Sequence, residues 1–273
     1  MISFIIYFHS TRLDNLRQTL RFLEKREPEL LGGELVLICQ DACSLVEHRF
    51  RDYRHLNLKE QSYRKPFMCN LGVREAKHEK IVILDSDRIL PEEYFTANIQ
   101  NMSKGQVITT TNLYWLPKPY TDKQIEKEDI EKIPDFRSIN IESGKKNLFA
   151  GNTIMFKENY LASGGMDEAF TGYGYADNDM TRNMIRMGYD IVYHDLDELH
   201  LWHPRTVSWN GSQIDRRLFR IQSATNALRY NKKWGLPLDD TVRALVKEVR
   251  SERSIYSKEL WEPFQAMISR KLM

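Results

Sequence analysis

Long apolar runs are missing from this sequence of 273 residues. No stretch approaches the roughly 18 consecutive apolar residues of a membrane-spanning helix, so no transmembrane segment is expected. Charge of one sign is missing too. Lys and Arg number 40 against 38 Asp and Glu, a net +2, which gives no basic footprint for nucleic acid. Cysteine is scarce: Cys39, Cys43 and Cys69 are odd in number and lack metal-type pairing, which points to reduced, cytosolic thiols. The opening "MISFIIYFHS" has no basic n-region, and its apolar stretch is too short and too β-branched for a signal peptide. No G-x-G-x-x-G follows the first strand and no G-x-x-x-x-G-K occurs, which argues against a dinucleotide-binding oxidoreductase and a P-loop enzyme. No internal repeat is visible.

What is present is ample core material, with 41% hydrophobic and 11% aromatic residues, enough for one large α/β domain or two small ones. Strand-like runs stand at "ISFIIYF" (2–8), "ELVLIC" (34–39), "KIVILD" (80–85) and "QVITTT" (106–111), with helix-period segments between the first three. This alternation predicts βαβ units and a mainly parallel sheet flanked by helices. Leu13, Leu16, Leu20 and Leu23 mark an amphipathic helix that Ser10, Thr11 or Asp14 could cap. A shorter helix is expected in "KPFMCNLGVREAKHE". Residues 117–147 are polar, charge-dense and proline-bearing, and read as an insertion or mobile loop of the kind that can serve as a lid. Beyond about residue 210 the pattern is helical, with Leu218, Ile221 and Leu228 in one stretch and Val242, Leu245, Val246 and Val249 in another. The expected division is therefore an α/β domain over 1–210 and a helical extension over 211–273.

Three constellations carry chemistry. In "KIVILDSDRIL" the continuous apolar run Ile81 to Leu84 reads as a strand buried on both faces, and Asp85 and Asp87 stand where it leaves the core. A lone D-x-D equally suits a solvated turn, but ligands bind at the carboxyl ends of strands in open α/β sheets. Two such acids can hold Mg²⁺ or Mn²⁺ and leave positions open for phosphates. Ile89 and Leu90 exclude an EF-hand loop. The second constellation is "GGMDEAFTGYGYADND", with four glycines and the acids Asp167, Glu168, Asp177 and Asp179. Helical spacing of Asp179, Arg182 and Arg186 predicts an exposed, ion-paired helix face, whereas Asp177 lies at the mouth of a glycine-flanked turn. The third is "ELHLWHP", where either His200 or His203 could complete a metal site that the acid pair begins.

In this order the three pieces resemble the GT-A glycosyltransferases, in the branch of the bacterial chondroitin polymerases, the β-1,4-galactosyltransferases and the polypeptide N-acetylgalactosaminyltransferases. The resemblance spans about residues 1–210. It rests on "FIIYFHSTRLDNLRQTL", on Asp41 after the second strand, on Asn70, Gly72 and Ala76, on Asp85 and Asp87, and on "GGMDEAFTGYGYAD". The glutamate that usually precedes the final acid of that signature is Ala176 here. The resemblance implies transfer of a sugar from a nucleotide-sugar, a UDP-sugar above all, to a hydroxyl of a carbohydrate or glycolipid acceptor, with inversion and with Mn²⁺ (or Mg²⁺). It assigns the metal to Asp85, Asp87 and His203, and the donor nucleotide to Phe8, Asp41, Lys65, Asn70, Asp85 and Ser86. It makes Asp177 the general base and places Gly165, Tyr173 and Trp202 at the acceptor, with Tyr175 and Trp209 as further stacking surfaces. A cytoplasmic location is expected. The basic spacing of Arg243, Lys247, Arg250 and Arg253 suits either helices packed on the domain or a second subunit, or peripheral contact with the inner membrane face.

Two other readings fit parts of the pattern. A catalytically silent nucleotide-sugar-binding module of the same fold would accommodate Ala176. A haloacid-dehalogenase-type phosphohydrolase also places D-x-D after a buried strand, but it needs a hydroxyl residue where Ile89 stands.

Overall fold

The structure is a computed structural model that describes residues 1–268 except 42, 44, 45, 60–63, 128–136, 141–150 and 204–215. In chain order its elements are β1 (Ile2–Phe8), α1 (Leu13–Arg26), β2 (Glu34–Cys39), β3 (Asp52–Asn57), α2 (Lys65–Glu75), β4 (Lys80–Asp85), the short β5 (Arg88–Ile89), α3 (Tyr94–Asn101), β6 (Gln106–Trp115) and α4 (Asp122–Lys127). There follow β7 (Arg137–Asn140), β8 (Asn152–Phe156), α5 (Lys157–Ala162), α6 (Ala176–Arg186), β9 (Asp190–His200), α7 (Arg216–Trp234), α8 (Asp240–Ser251) and α9 (Lys258–Met267).

One sheet runs β3-β2-β1-β4-β8-β6-β9-β5, with β7 paired to β6. The first four strands are parallel. β8 enters antiparallel between β4 and β6, and β6 is again parallel to β9. The parallel unit comes from the apolar runs foreseen in the sequence. β3, β8 and β9 were not foreseen, because β3 is a half-exposed edge rich in polar residues and β9 carries four acids.

Both faces of the sheet are covered, which is why β1, β2 and β4 lack alternation. On one face Phe4, Ile6, Leu37, Val82 and Leu84 meet Leu16, Leu20 and Leu23 of α1 and Phe95 of α3. On the other, Ile5, Val36, Ile38, Ile81 and Ile83 meet Met68 and Val73 of α2 and Met180 and Met184 of α6. Gly72 lets α2 lie close, since a Cβ there would stand 2.4 Å from Ile5 Cγ2.

Several local expectations are corrected. Arg12 precedes α1 without a side-chain cap; Ser10 instead donates its backbone N–H and hydroxyl to Asp41. Within 117–147, residues 122–127 form α4 rather than a loop. Arg21 and Lys25 of α1 pair with Asp122 and Glu126 at 2.7 and 2.6 Å, and Ile125 is buried beside Phe22 and Leu116. Residues 117–121 lead into α4, and beyond α4 only β7 of that stretch lies within the described residues. Cys39 and Cys43, expected as reduced thiols, form a disulfide because the turn after β2 brings their Cα atoms to 6.4 Å. Cys69 is free and buried.

The C-terminal helices join through Ile221, Ala224 and Leu228 of α7, Val242 and Val249 of α8, and Phe264 of α9. Their apolar positions thus face one another. Among the described residues no helix is long and apolar enough to cross a membrane.

Candidate active site at the carboxyl end of the sheet

β4 carries Asp85 out of the core, and the turn of Ser86 and Asp87 leads into β5. The Asp85 N–H donates to the Gly151 carbonyl at 2.7 Å, and the Thr19 hydroxyl donates to the Ser86 carbonyl at 3.1 Å. The Asp85 carboxylate accepts from the Tyr7 hydroxyl and is flanked by Arg88 at 3.3 Å and Lys65 at 3.5 Å. Burial, with Asp87, Asp177 and Glu198 nearby, raises the Asp85 carboxyl well above its ordinary range, against the pull of Arg88.

β9 ends beside this corner because Arg88 of β5 pairs in register with His200. Three residues on lies His203. The Nε2 atoms of His200 and His203 lie 3.7 and 3.6 Å from Asp87 Oδ2. Ligand atoms of these three residues are all within 4.8 Å of one another. The ring of His200 stacks on Trp115 at 3.7 Å between centroids, and its Nδ1 is 2.8 Å from the Leu201 carbonyl. Nδ1 therefore holds the proton and Nε2 presents its lone pair, the usual arrangement for a ligating imidazole. Burial lowers the His200 pKa to about 4. Among the described residues the buried Asp87 Oδ1 has no hydrogen-bond donor.

This donor set suits a cation. Two imidazoles and a carboxylate fit a borderline ion such as Mn²⁺ better than Mg²⁺, which prefers oxygen alone. Of the expected trio, the structure groups Asp87 with His203, adds His200, and leaves Asp85 out because Tyr7, Arg88 and Lys65 occupy its oxygens.

Asp177 lies in the first turn of α6, with Lys65 Nζ 2.9 Å from its Oδ1. Lys65 thereby links Asp85 to Asp177. The loop before α6 turns through Gly172 and Gly174 at φ +71° and +91°, and α7 braces it. Asn226 Nδ2 donates to the carbonyls of Thr171 and Tyr173 at 2.9 and 3.0 Å. Asp179 is not on an exposed face: it is 2% exposed and bonds Lys233 at 2.8 Å and the Trp234 indole at 2.7 Å. Arg182 and Arg186 lie over the Trp234 ring.

Three residues assigned to ligands turn out to build the scaffold. Phe8 is 2% exposed and packs in the core beneath α1. Asn70 has no hydrogen-bonding capacity left: its amide donates to the Met166 carbonyl and Glu168, and its oxygen accepts from the Tyr160 hydroxyl and the Met166 N–H. Gly165 approaches that oxygen so closely that a Cβ would stand 2.5 Å away. Asp41, held by Ser10 and 3.4 Å from His9 Nε2, lies at the end of β2. Tyr173 and Trp202 are 53% and 37% exposed, open enough to stack on a ring. Trp209 lies outside the described residues. Sequence reasoning missed Arg88 and Glu198, whose signal is a charged residue inside a strand-like run.

Residues 135–204 match the family model described as the N-terminal domain of galactosyltransferase, a stretch that includes Asp177, His200 and His203. No curated protein matches the chain. Among solved structures, GalNAc-T7 with UDP, GalNAc and Mn²⁺ aligns at TM-score 0.59 and 14% identity over 98% of this chain and 54% of its own. TarS of S. aureus aligns at TM-score 0.50 and 11% identity over 99% of this chain and 50% of its own. The fold is that of the GT-A glycosyltransferases. The chain spans about half the length of either structure. In this GT-A sheet the Asp87 cluster and Asp177 both lie beyond the strand ends, linked through Asp85 and Lys65.

Proposed function

We propose that the chain transfers a sugar from a UDP-sugar to an acceptor hydroxyl, with a divalent metal ion and with inversion at the anomeric carbon. The observation that carries this is the convergence of Asp87, His200 and His203, next to a Lys65 that bridges Asp85 to Asp177. Four carboxylates, Asp85, Asp87, Asp177 and Glu198, face two cations, Lys65 and Arg88. The GalNAc-T7 structure, which contains UDP and Mn²⁺, supports the same choice.

When bound, the ion would neutralise charge developing on the departing diphosphate. Asp87, His200 and His203 would hold it. Lys65 has two roles in sequence. Paired with Asp177, it occupies that carboxylate; drawn to the donor's phosphates, it would free Asp177 to take the proton of the acceptor hydroxyl. Asp41 would accept from the nucleobase and Ser86 would lie beside the nucleoside. Tyr173 and Trp202 would offer apolar faces to the acceptor sugar.

A panel of UDP-sugars, with Mn²⁺ and an oligosaccharide mixture, tests this through UDP release and NMR of the product. A β-linked product from an α-linked donor is expected. An α-linked product would rule out inversion, and the absence of both transfer and donor hydrolysis across the panel would leave a binding module.

A further inference from the structure

The least expected group beside Asp87 is a cation that belongs to the protein. Arg88 is only 6% exposed, and a guanidinium stays charged in any protein environment. It touches three carboxylates: Asp85 through Nη2 at 3.3 Å, Asp87 through Nε at 3.7 Å and Glu198 through Nε at 3.6 Å. Glu198 is fully buried in β9. It accepts from the Thr110 hydroxyl at 2.6 Å and from the Asn152 amide. Asn152 in turn accepts from the Tyr94 hydroxyl at 2.9 Å. Room for the guanidinium exists because residue 151 is glycine: a Cβ there would stand 2.2 Å from Arg88 Nε and 2.5 Å from Asp85 Oδ2.

A buried arginine shared only by Asp85 and Asp87 would compete with any cation for them. Glu198 changes that balance. Fixed from β6 and β8, it draws the guanidinium toward the sheet, away from the open side of Asp87. Among the described residues neither Arg88 Nη1 nor Glu198 Oε1 has a hydrogen-bond partner, and the pair is held by charge at 3.6 Å.

We infer that Arg88 and Glu198 are positioning residues for the metal site: Arg88 fixes Asp85 and Asp87 relative to each other, and Glu198 offsets its charge so that Asp87 remains available to a cation. This rests on the metal-binding reading of Asp87, His200 and His203. Outer partners of metal ligands typically change metal affinity by about 10- to 100-fold when replaced.

The test is Mn²⁺ binding to the intact chain with UDP present, measured from the electron paramagnetic resonance signal of free Mn²⁺, with folding checked by circular dichroism. Glu198→Gln keeps the side-chain shape but leaves Arg88 unbalanced, and should weaken Mn²⁺ binding by about tenfold or more. Glu198→Asp, which keeps the charge, should recover part of that loss. Arg88→Lys keeps a buried cation but not the three-way fork, and should weaken binding too; it serves if Glu198→Gln does not fold. Native affinity in folded Glu198→Gln or Arg88→Lys would overturn the inference while leaving the metal site standing. A wild-type chain that binds no Mn²⁺ would overturn both.

Discussion

Asp177, paired with Lys65, and Asp87, grouped with His200 and His203, should fail in different ways when altered. A general base acts on the transition state and little on donor affinity, so Asp177→Asn should lower transfer by about 10²- to 10⁴-fold while UDP-sugar affinity stays near wild type. Near-normal turnover would remove it as base. Cys69 gives a control independent of chemistry. Burial pushes its thiol up to about 12, so in the native chain at pH 8 it should resist iodoacetamide, and mass spectrometry should show alkylation only after denaturation. Single residues were unevenly legible in the sequence. Asp87, His203 and Asp177 could be singled out because acids and imidazoles beyond a buried strand have few structural uses, and the structure brings Asp87 and His203 together. Asn70 and Gly165 could not be read correctly, since a signature marks that a residue type is needed without saying whether a ligand or the scaffold needs it. Here both serve packing between α2 and the loop before α6.

At the scale of elements, helix ends are held by side chains far away in sequence. Glu27, just after α1, accepts from the N–H groups of Phe95 and Thr96 at 2.7 and 3.1 Å and from the Thr96 hydroxyl at 2.6 Å, tying down the start of α3. Glu27→Ala leaves those buried donors unmatched and should lower stability by about 1–3 kcal/mol, read as a shift in denaturant midpoint. α7 performs a similar task for the glycine-rich loop before α6. Asn226→Ala removes two bonds to the carbonyls of Thr171 and Tyr173, so hydrogen exchange in 167–175 should quicken while that of β1 and β4 stays unchanged. The parallel strands were legible as apolar runs. β9 was not, because its acids hide strand character: Glu198 is buried for Arg88, a reason visible only once β5 and β9 are side by side.

Across the whole molecule, the helical extension is part of the site's support rather than a separate appendage. Lys233 bonds Asp167 and Asp179 at 2.9 and 2.8 Å, so α7 fixes both ends of the glycine-rich loop. The apolar positions of α8 and α9 are taken up against α7, leaving basic residues without an apolar face to insert. The full chain should therefore stay in the dense layer when floated with anionic vesicles at physiological salt, and co-flotation would restore the membrane reading. The most direct measurement for the molecule as a metal-dependent transferase is calorimetric UDP binding, with and without Mn²⁺, by wild type and Asp87→Asn. Wild type should bind UDP far more tightly with Mn²⁺ than with EDTA, and folded Asp87→Asn should lose that difference. Equal UDP affinity under all four conditions would contradict the metal site and the function built on it.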